Sequence, residues 1–375
     1  MLAVLAVSTL AAFAGALFLL WSDPAAPLPA LHVAFAAGVM PLILGAMSHF
    51  VPVLTRSGAP GIAVRALPLL ALGGGGLAAL AFALPARVPY GLDTAAGVGA
   101  VAALGMAGWI HVRGRRALDR PHPGLHWYTA AAVCLLLALI AVLAMRLVPE
   151  QRLALRRFHL HLNTLGFVAL TAVGTLQVLL PTAAGRADPG AAPRLRRDLK
   201  WAVTGTLLVA VGSAWAPWLA WVGLGLWVLA IAPLAEAWLT RFHADLFTLH
   251  GAAAALGAAL IGLGLVLLAG ALHGAGLLPA THAVTVFFLA FLLPLVTGAV
   301  SQLLPLWLRP GGQTHWHETL RARLGRFSGV RALLFLAGGA LAALGLRAGL
   351  VLALAGLLLF GLQAARALWS AGRLA

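Results

Sequence analysis

The 375-residue chain reads as an all-α integral membrane protein of about twelve transmembrane helices, arranged as three pseudo-symmetric four-helix repeats. Three observations carry that expectation. Hydrophobic residues make up 62% of the sequence and charged residues only 9%, too few charges to cover a soluble domain of this size. Apolar runs of the ~18 residues or more that a bilayer crossing needs recur from end to end. A sixteen-residue pattern from early in the chain also returns, in register, near its end. The runs are continuous rather than alternating, which excludes a transmembrane β-barrel.

In order, the runs fall near 2–21, 30–54, 66–86, 92–112, 127–147, 156–181, 200–214, 217–238, 248–272, 281–306, 330–346 and 348–370. The first has no basic segment before it and no small-residue cleavage site, so it is expected to be a retained helix rather than a signal peptide. The runs at 200–214 and 330–346 are short for a crossing. Proline and glycine mark the joints, as at Pro24, Pro27 and Pro29 and at Pro310, Gly311 and Gly312. The glycines from Gly73 to Gly76 lie inside the third run, where close helix contact is their expected role.

The formal charge of +16 sits between the runs, so it is read as membrane topology and not as a nucleic-acid surface; the lipid bilayer is the expected partner. Twelve crossings place both termini on one side. Arg113, Arg115, Arg116, Arg194, Arg196, Arg197, Lys200, Arg321, Arg323, Arg326, Arg331, Arg366 and Arg373 are among the basic residues on that side. The other side carries only Arg87, Arg146, Arg152, Arg156, Arg157 and Arg347. The bias of positive charge toward the cytoplasm then makes both termini cytoplasmic. Trp21, Trp215, Trp218 and Trp221 gather toward the opposite face as an aromatic belt. The single cysteine, Cys134, excludes an internal disulfide and cysteine-ligated clusters and is expected to be a small buried hydrophobe. Glu236 is the one carboxylate clearly inside a run, which argues against a carboxylate-lined cation pump.

The repeat shows in spans 2 and 10. The stretch from Pro41 to Arg56 and the stretch from Pro294 to Arg309 share seven of sixteen positions, including Gly45 with Gly298, Ser48 with Ser301 and Pro52 with Pro305. Span 6 carries a weaker copy through Gly174, Pro181 and Arg186. Four helices fit between successive copies, giving repeats 1–120, 121–241 and 242–375 within a single membrane domain. Glycine in this pattern admits a neighbouring helix or a flat cofactor, proline ends or kinks the helix, and arginine anchors that end.

Histidines follow the same register. His32 lies thirteen residues before Gly45 and His161 thirteen before Gly174; in the third copy Thr285 holds that place and His282 lies one turn earlier. An ionisable side chain in a membrane span is a functional-site candidate, and three at corresponding places strengthen it. His159, two residues before His161, is a further candidate on the opposite helix face. His49 lies within a span as a polar contact. His315 and His317, flanking Trp316 in a basic segment, are expected to be solvated loop residues. No spacing among His126, His243, His250, His315 and His317 compels a metal site. Neutral imidazole suits haem iron, copper or zinc. Two imidazoles on facing helices form an axial pair for b-type haem, with room from small residues such as Gly38 after His32 and Gly166 after His161. Without a Cys-x-x-Cys-His sequence, covalent haem attachment is excluded.

A His-bearing helix followed by glycine and then proline, with His159-Leu-His161-Leu-Asn-Thr-Leu-Gly166-Phe in the middle, resembles the haem-copper oxidase catalytic subunit and the related NnrS family of haem- and copper-containing membrane proteins linked to nitric oxide metabolism. The resemblance implies twelve core helices in a haem-copper-oxidase-like fold, haem b with copper as a second candidate cofactor, and axial roles for His32 and His282. It implies a copper-ligand role for His161, with His159 as the alternative. The cofactor-facing set is then His32, His161, His282, Gly38, Gly45, Gly166 and Gly174, with His32, His159, His161 and His282 as metal ligands. The run from Lys200 to Ala214 has no histidine pair, and the only tyrosines are Tyr90 and Tyr128. A complete oxygen-reducing centre is therefore not expected, and any enzyme activity would be that of a haem-dependent oxidoreductase with a redox partner. The bacterial inner membrane is the expected location. The alternatives are a metal or small-molecule transporter and a non-catalytic assembly subunit.

Overall fold

The computed structural model describes residues 1–24, 26–117 and 120–371. Arg373, counted above among the basic residues, lies outside them. The described residues form helices and connecting turns, with no strand. The long helices are α1 (Leu2–Ser22), α2 (Pro27–Leu54), α3 (Ile62–Ala83), α4 (Gly91–Arg115), α5 (Gly124–Leu147), α6 (Pro149–Ala183), α7 (Ala191–Trp215), α8 (Pro217–Arg241), α9 (Ala252–Gly274), α10 (Ala280–Leu308), α11 (His315–Ala343) and α12 (Ala348–Ala371). Eleven of them are long and apolar enough to cross a membrane, and the chain is a multi-pass membrane protein.

The exception is α7. It is as long as its neighbours, but Arg194, Arg196, Arg197, Asp198 and Lys200 occupy its first turns, so only the part from Trp201 onward is apolar. The apolar run marks only that part of the helix, because arginine and lysine are good helix formers and carry it outward for more than two further turns. Asp198 is fully buried and takes hydrogen bonds at 2.6 and 3.1 Å from the half-exposed Arg197. Helix α11 breaks at Phe327, whose φ of +52° no helix accommodates. Its first part, His315–Leu324, is polar and its second, Ser328–Ala343, apolar.

Three helices depart from α geometry in the same way. Val33–Val39 in α2, Leu162–Ala169 in α6 and Phe287–Leu292 in α10 are π-helical. Pro41 and Pro294, just beyond two of them, have no N–H to give, so carbonyls in the preceding turns lose their ladder partner. The loosened carbonyls meet neighbours instead. In α2, Gly38 O accepts a 2.9 Å hydrogen bond from the Thr9 hydroxyl on α1, and the Ala36 carbonyl stands 2.0 Å from where a Cβ on Gly75 of α3 would be. In α10, the Ala290 carbonyl stands 1.9 Å from the Cβ position of Gly262 on α9. Only glycine admits such an approach. Within the Gly73–Gly76 run, Gly74 and Gly75 make helix contacts, while Gly73 and Gly76 face open space.

The chain divides into two compact units, Met1–Thr175 with Gly190–Ile231, and Leu176–Pro189 with Ala232–Ala375. In the first unit α2 packs between α1 and α3, and α6 between α5 and α7. In the second, α10 packs between α9 and α11, and α12 lies along α11. The most apolar eighteen-residue stretches of α6, α9 and α10 are largely buried and that of α2 just over half, while those of the other spanning helices are less than half buried. Trp21, Trp215, Trp218 and Trp221 are all exposed, at the ends of α1 and α7 and the start of α8. Cys134 is buried, 2.6 Å from the Cβ position of Gly166. Glu236 is exposed near the end of α8.

Candidate cofactor site

The residues in register at the head of each π segment behave alike. His32 Nδ1 donates to the Leu28 carbonyl at 2.8 Å, one turn back. His161 Nδ1 lies 2.8 Å from the Arg157 carbonyl, also one turn back, and 3.0 Å from the Ser213 hydroxyl of α7. In the third copy Thr285 Oγ1 donates to the Thr281 carbonyl at 2.8 Å. A side chain that donates to the carbonyl four residues earlier relieves the helix just where the π segments follow at Val33, Leu162 and Phe287.

For the two histidines this has a chemical consequence. An imidazole whose Nδ1–H is held by a carbonyl has its tautomer fixed, with the lone pair on Nε2. Metal-bound histidines are held in the same way. The His32 ring is half-buried and lies against Phe82 of α3, ring centres 4.2 Å apart. His159 is also half-buried; its Nδ1 sits 2.9 Å from the Ala138 carbonyl of α5, and Asn163 Nδ2 is within 3.3 Å of the same atom. His32 belongs to the first unit, as does His159. His161, on another face of the same helix, turns to Ser213.

His282 belongs to the second unit. It stands in the first turn of α10, where its ring packs over Gly345 in the turn between α11 and α12, with Cε1 3.1 Å from the Cβ position of that glycine. The positive φ of Gly345, +75°, also calls for glycine there.

The four glycines expected to face a cofactor each meet protein. Gly38 meets Ala12 of α1; Gly45 meets Leu2 and Leu5 of α1; Gly166 meets Cys134 of α5 and Thr206 of α7; Gly174 meets Trp127 of α5. Gly298, in register with Gly45 and Gly174, meets Ala255 and Leu256 of α9. Each of these contacts is with a neighbouring helix.

Among the described residues, no three of His, Cys, Asp and Glu group closely enough to hold a metal ion. His126, His243 and His250 are exposed, and His250 Nδ1 accepts the Phe327 backbone N–H at 3.0 Å. His317 corrects an expectation. It is buried rather than solvated, because it closes the start of α11: its Nδ1 takes the Thr314 N–H at 3.1 Å, and its Nε2 reaches the Arg309 carbonyl at 2.9 Å. His315 is exposed, as expected. Sequence reasoning also missed Gln177, one turn after Gly174 and in register with Ser48 and Ser301. It is buried, and neither amide atom has a hydrogen-bond partner. Comparison with protein-family models, curated proteins and solved structures gave no match.

Proposed function

We propose that the chain is a haem b-binding membrane protein of the NnrS and oxidase-like kind, acting in nitric oxide or respiratory redox metabolism. The observation that carries this reading is the shared clamp on His32 and His161, each with Nδ1 tied to the carbonyl one turn back at the head of a π segment. Such a clamp fixes the ring's tautomer and angle, as the rings of haem and metal ligands are fixed. His32 is the primary ligand in this reading, with His161 as a second-site ligand. Haem, when bound, would supply one-electron redox chemistry and an axial position for a diatomic gas. The chain's own residues fix the tautomer and hold the ring angle. Copper is secondary, since no three-ligand group is assembled among the described residues.

The same reading holds that spans 2, 6 and 10 are equivalent helices of three repeats, oriented with the arginine-rich loops in the cytoplasm of a bacterial inner membrane. It is supported by the register of His32, His161 and Thr285, the π segments that follow them, and the packing of Gly45, Gly174 and Gly298 on the first helix of each proposed repeat.

The test is the haem content and the low-spin ferric signal of purified wild type, His32→Ala and His315→Ala. Loss of haem or of the low-spin signal in His32→Ala, with His315→Ala unchanged, supports the reading. Full haem and an unaltered signal in His32→Ala remove that residue as a ligand.

A further inference from the structure

The second unit holds a cationic cavity that the haem reading does not use. Its volume is about 450 Å³, and it lies between the break in α11 and the last turns of α12. Among the described residues, Arg323, Arg326 and Arg366 line it together with Gln363, and no carboxylate does. Behind the lining residue Gln363 is Arg331, fully buried and not itself part of the lining. The Arg331 guanidinium donates to the Arg326 carbonyl at 2.7 Å, to the Leu324 carbonyl at 3.2 Å and to Gln363 Oε1, and it stacks over Phe360 at 5.0 Å. All of these partners are neutral. A buried arginine without an anion is costly, and three more arginines around the same opening add mutual repulsion.

A second observation points into the same space. Gln363 is 8% exposed, and among the described residues its Nε2 donor has no partner; neither does Arg331 Nε. Gln363 lines the cavity, and an acceptor-rich anion there would satisfy its donor; Arg331, bonded to Gln363 from behind, adds positive charge. Phosphate matches this set, since guanidinium groups bind it with paired, charge-assisted hydrogen bonds.

The location narrows the source. Gln363 and Arg366 are in the final turns of α12, and Arg323 and Arg326 sit where the polar part of α11 gives way to its apolar part. These are the ends of apolar segments, the depth at which lipid phosphates lie. One wall is Leu359 and Leu362, and Leu362 is 58% exposed, which leaves an apolar path for an acyl chain. We infer that this cavity binds a phosphate group, that of an anionic phospholipid held with its chains along α12.

The test uses the whole protein in phosphatidylcholine nanodiscs, plain or doped with phosphatidylglycerol. Arg326 and Arg366 are exposed, so the double variant R326Q/R366Q should fold; circular dichroism checks this. R65Q, on α3, is the control. Native mass spectrometry reads phosphatidylglycerol retained per protein. Wild type and R65Q are expected to retain it, and the double variant to hold it at least about tenfold more weakly, two charge-assisted contacts having been removed. Melting in plain nanodiscs with and without sodium phosphate separates the sources. A phosphate-dependent rise in wild type that the double variant lacks assigns the same site to free phosphate. Equal lipid retention in all three proteins, with no arginine-dependent response to phosphate, overturns the inference.

Discussion

A histidine inside a membrane helix is tolerated when its ring nitrogens have work to do, and His32 and His161 show one half of that work. Their Nδ1 atoms are tied to Leu28 and Arg157. The sequence located both residues, and their register with Gly45 and Gly174, because spacing is visible in a string of letters. It could not show that Thr285 makes the corresponding bond in the third copy, nor that His282, a turn earlier, packs on Gly345 instead. The account expects His32→Ala to lose axial ligation; His32→Asn, which is polar but does not ligate iron, should lose it equally, read by the optical spectrum. His122 gives a pH prediction. Its Nδ1 accepts the Gly124 N–H at 3.2 Å at the start of α5, and burial, then the nearby Arg196, pushes its pKa below the ordinary 6.5. The unfolded chain therefore binds this proton more readily than the folded one, so stability is present above about pH 6.5 and declines as the pH falls below it. Melting of His122→Asn in detergent should decline less between pH 7 and pH 5 than melting of wild type; identical slopes would exclude His122 as a contributor.

At the scale of the helix, the π segments organise the molecule, and none of them was legible beforehand. Composition and periodicity report that a segment is helical and apolar. They do not report whether a carbonyl bonds four or five residues ahead, a choice made here by proline, by side-chain back-bonding and by what the next helix offers. The consequences are local and steep. Gly75→Ala drives a methyl into the Ala36 carbonyl and should destabilise by roughly 3 kcal/mol or more. Gly76→Ala, next to it but facing open space, should be neutral or stabilising by about 0.5–1 kcal/mol. Thermal denaturation of the two variants decides; equal effects would mean the close approach of α3 to the π segment of α2 is not energetically important. Helix α7 shows the opposite limit of sequence reading. Its apolar stretch was found, but its charged beginning could not be distinguished from loop, because a solvated arginine-rich turn carries no hydrophobic period. Arg331 was likewise counted with the loop arginines and is fully buried.

For the whole molecule, composition alone sufficed for the class: an all-helical, multi-pass membrane protein. Within it the chain forms two compact units, Met1–Thr175 with Gly190–Ile231 and Leu176–Pro189 with Ala232–Ala375. The topology proposal is directly checkable. In a Cys134→Ala background, a cysteine at Ala59 should be shielded from an impermeant maleimide in intact cells, and one at Ala86, at the far end of α3, should react; the reverse pattern would invert the orientation. The central claim is that the bundle holds haem. It is tested most directly by a reduced-minus-oxidised absorption spectrum of the purified protein, expressed with ample haem supply and with iron and copper quantified. The account predicts a b-type spectrum with about one or two haems per chain. A haem-free protein under those conditions would contradict it.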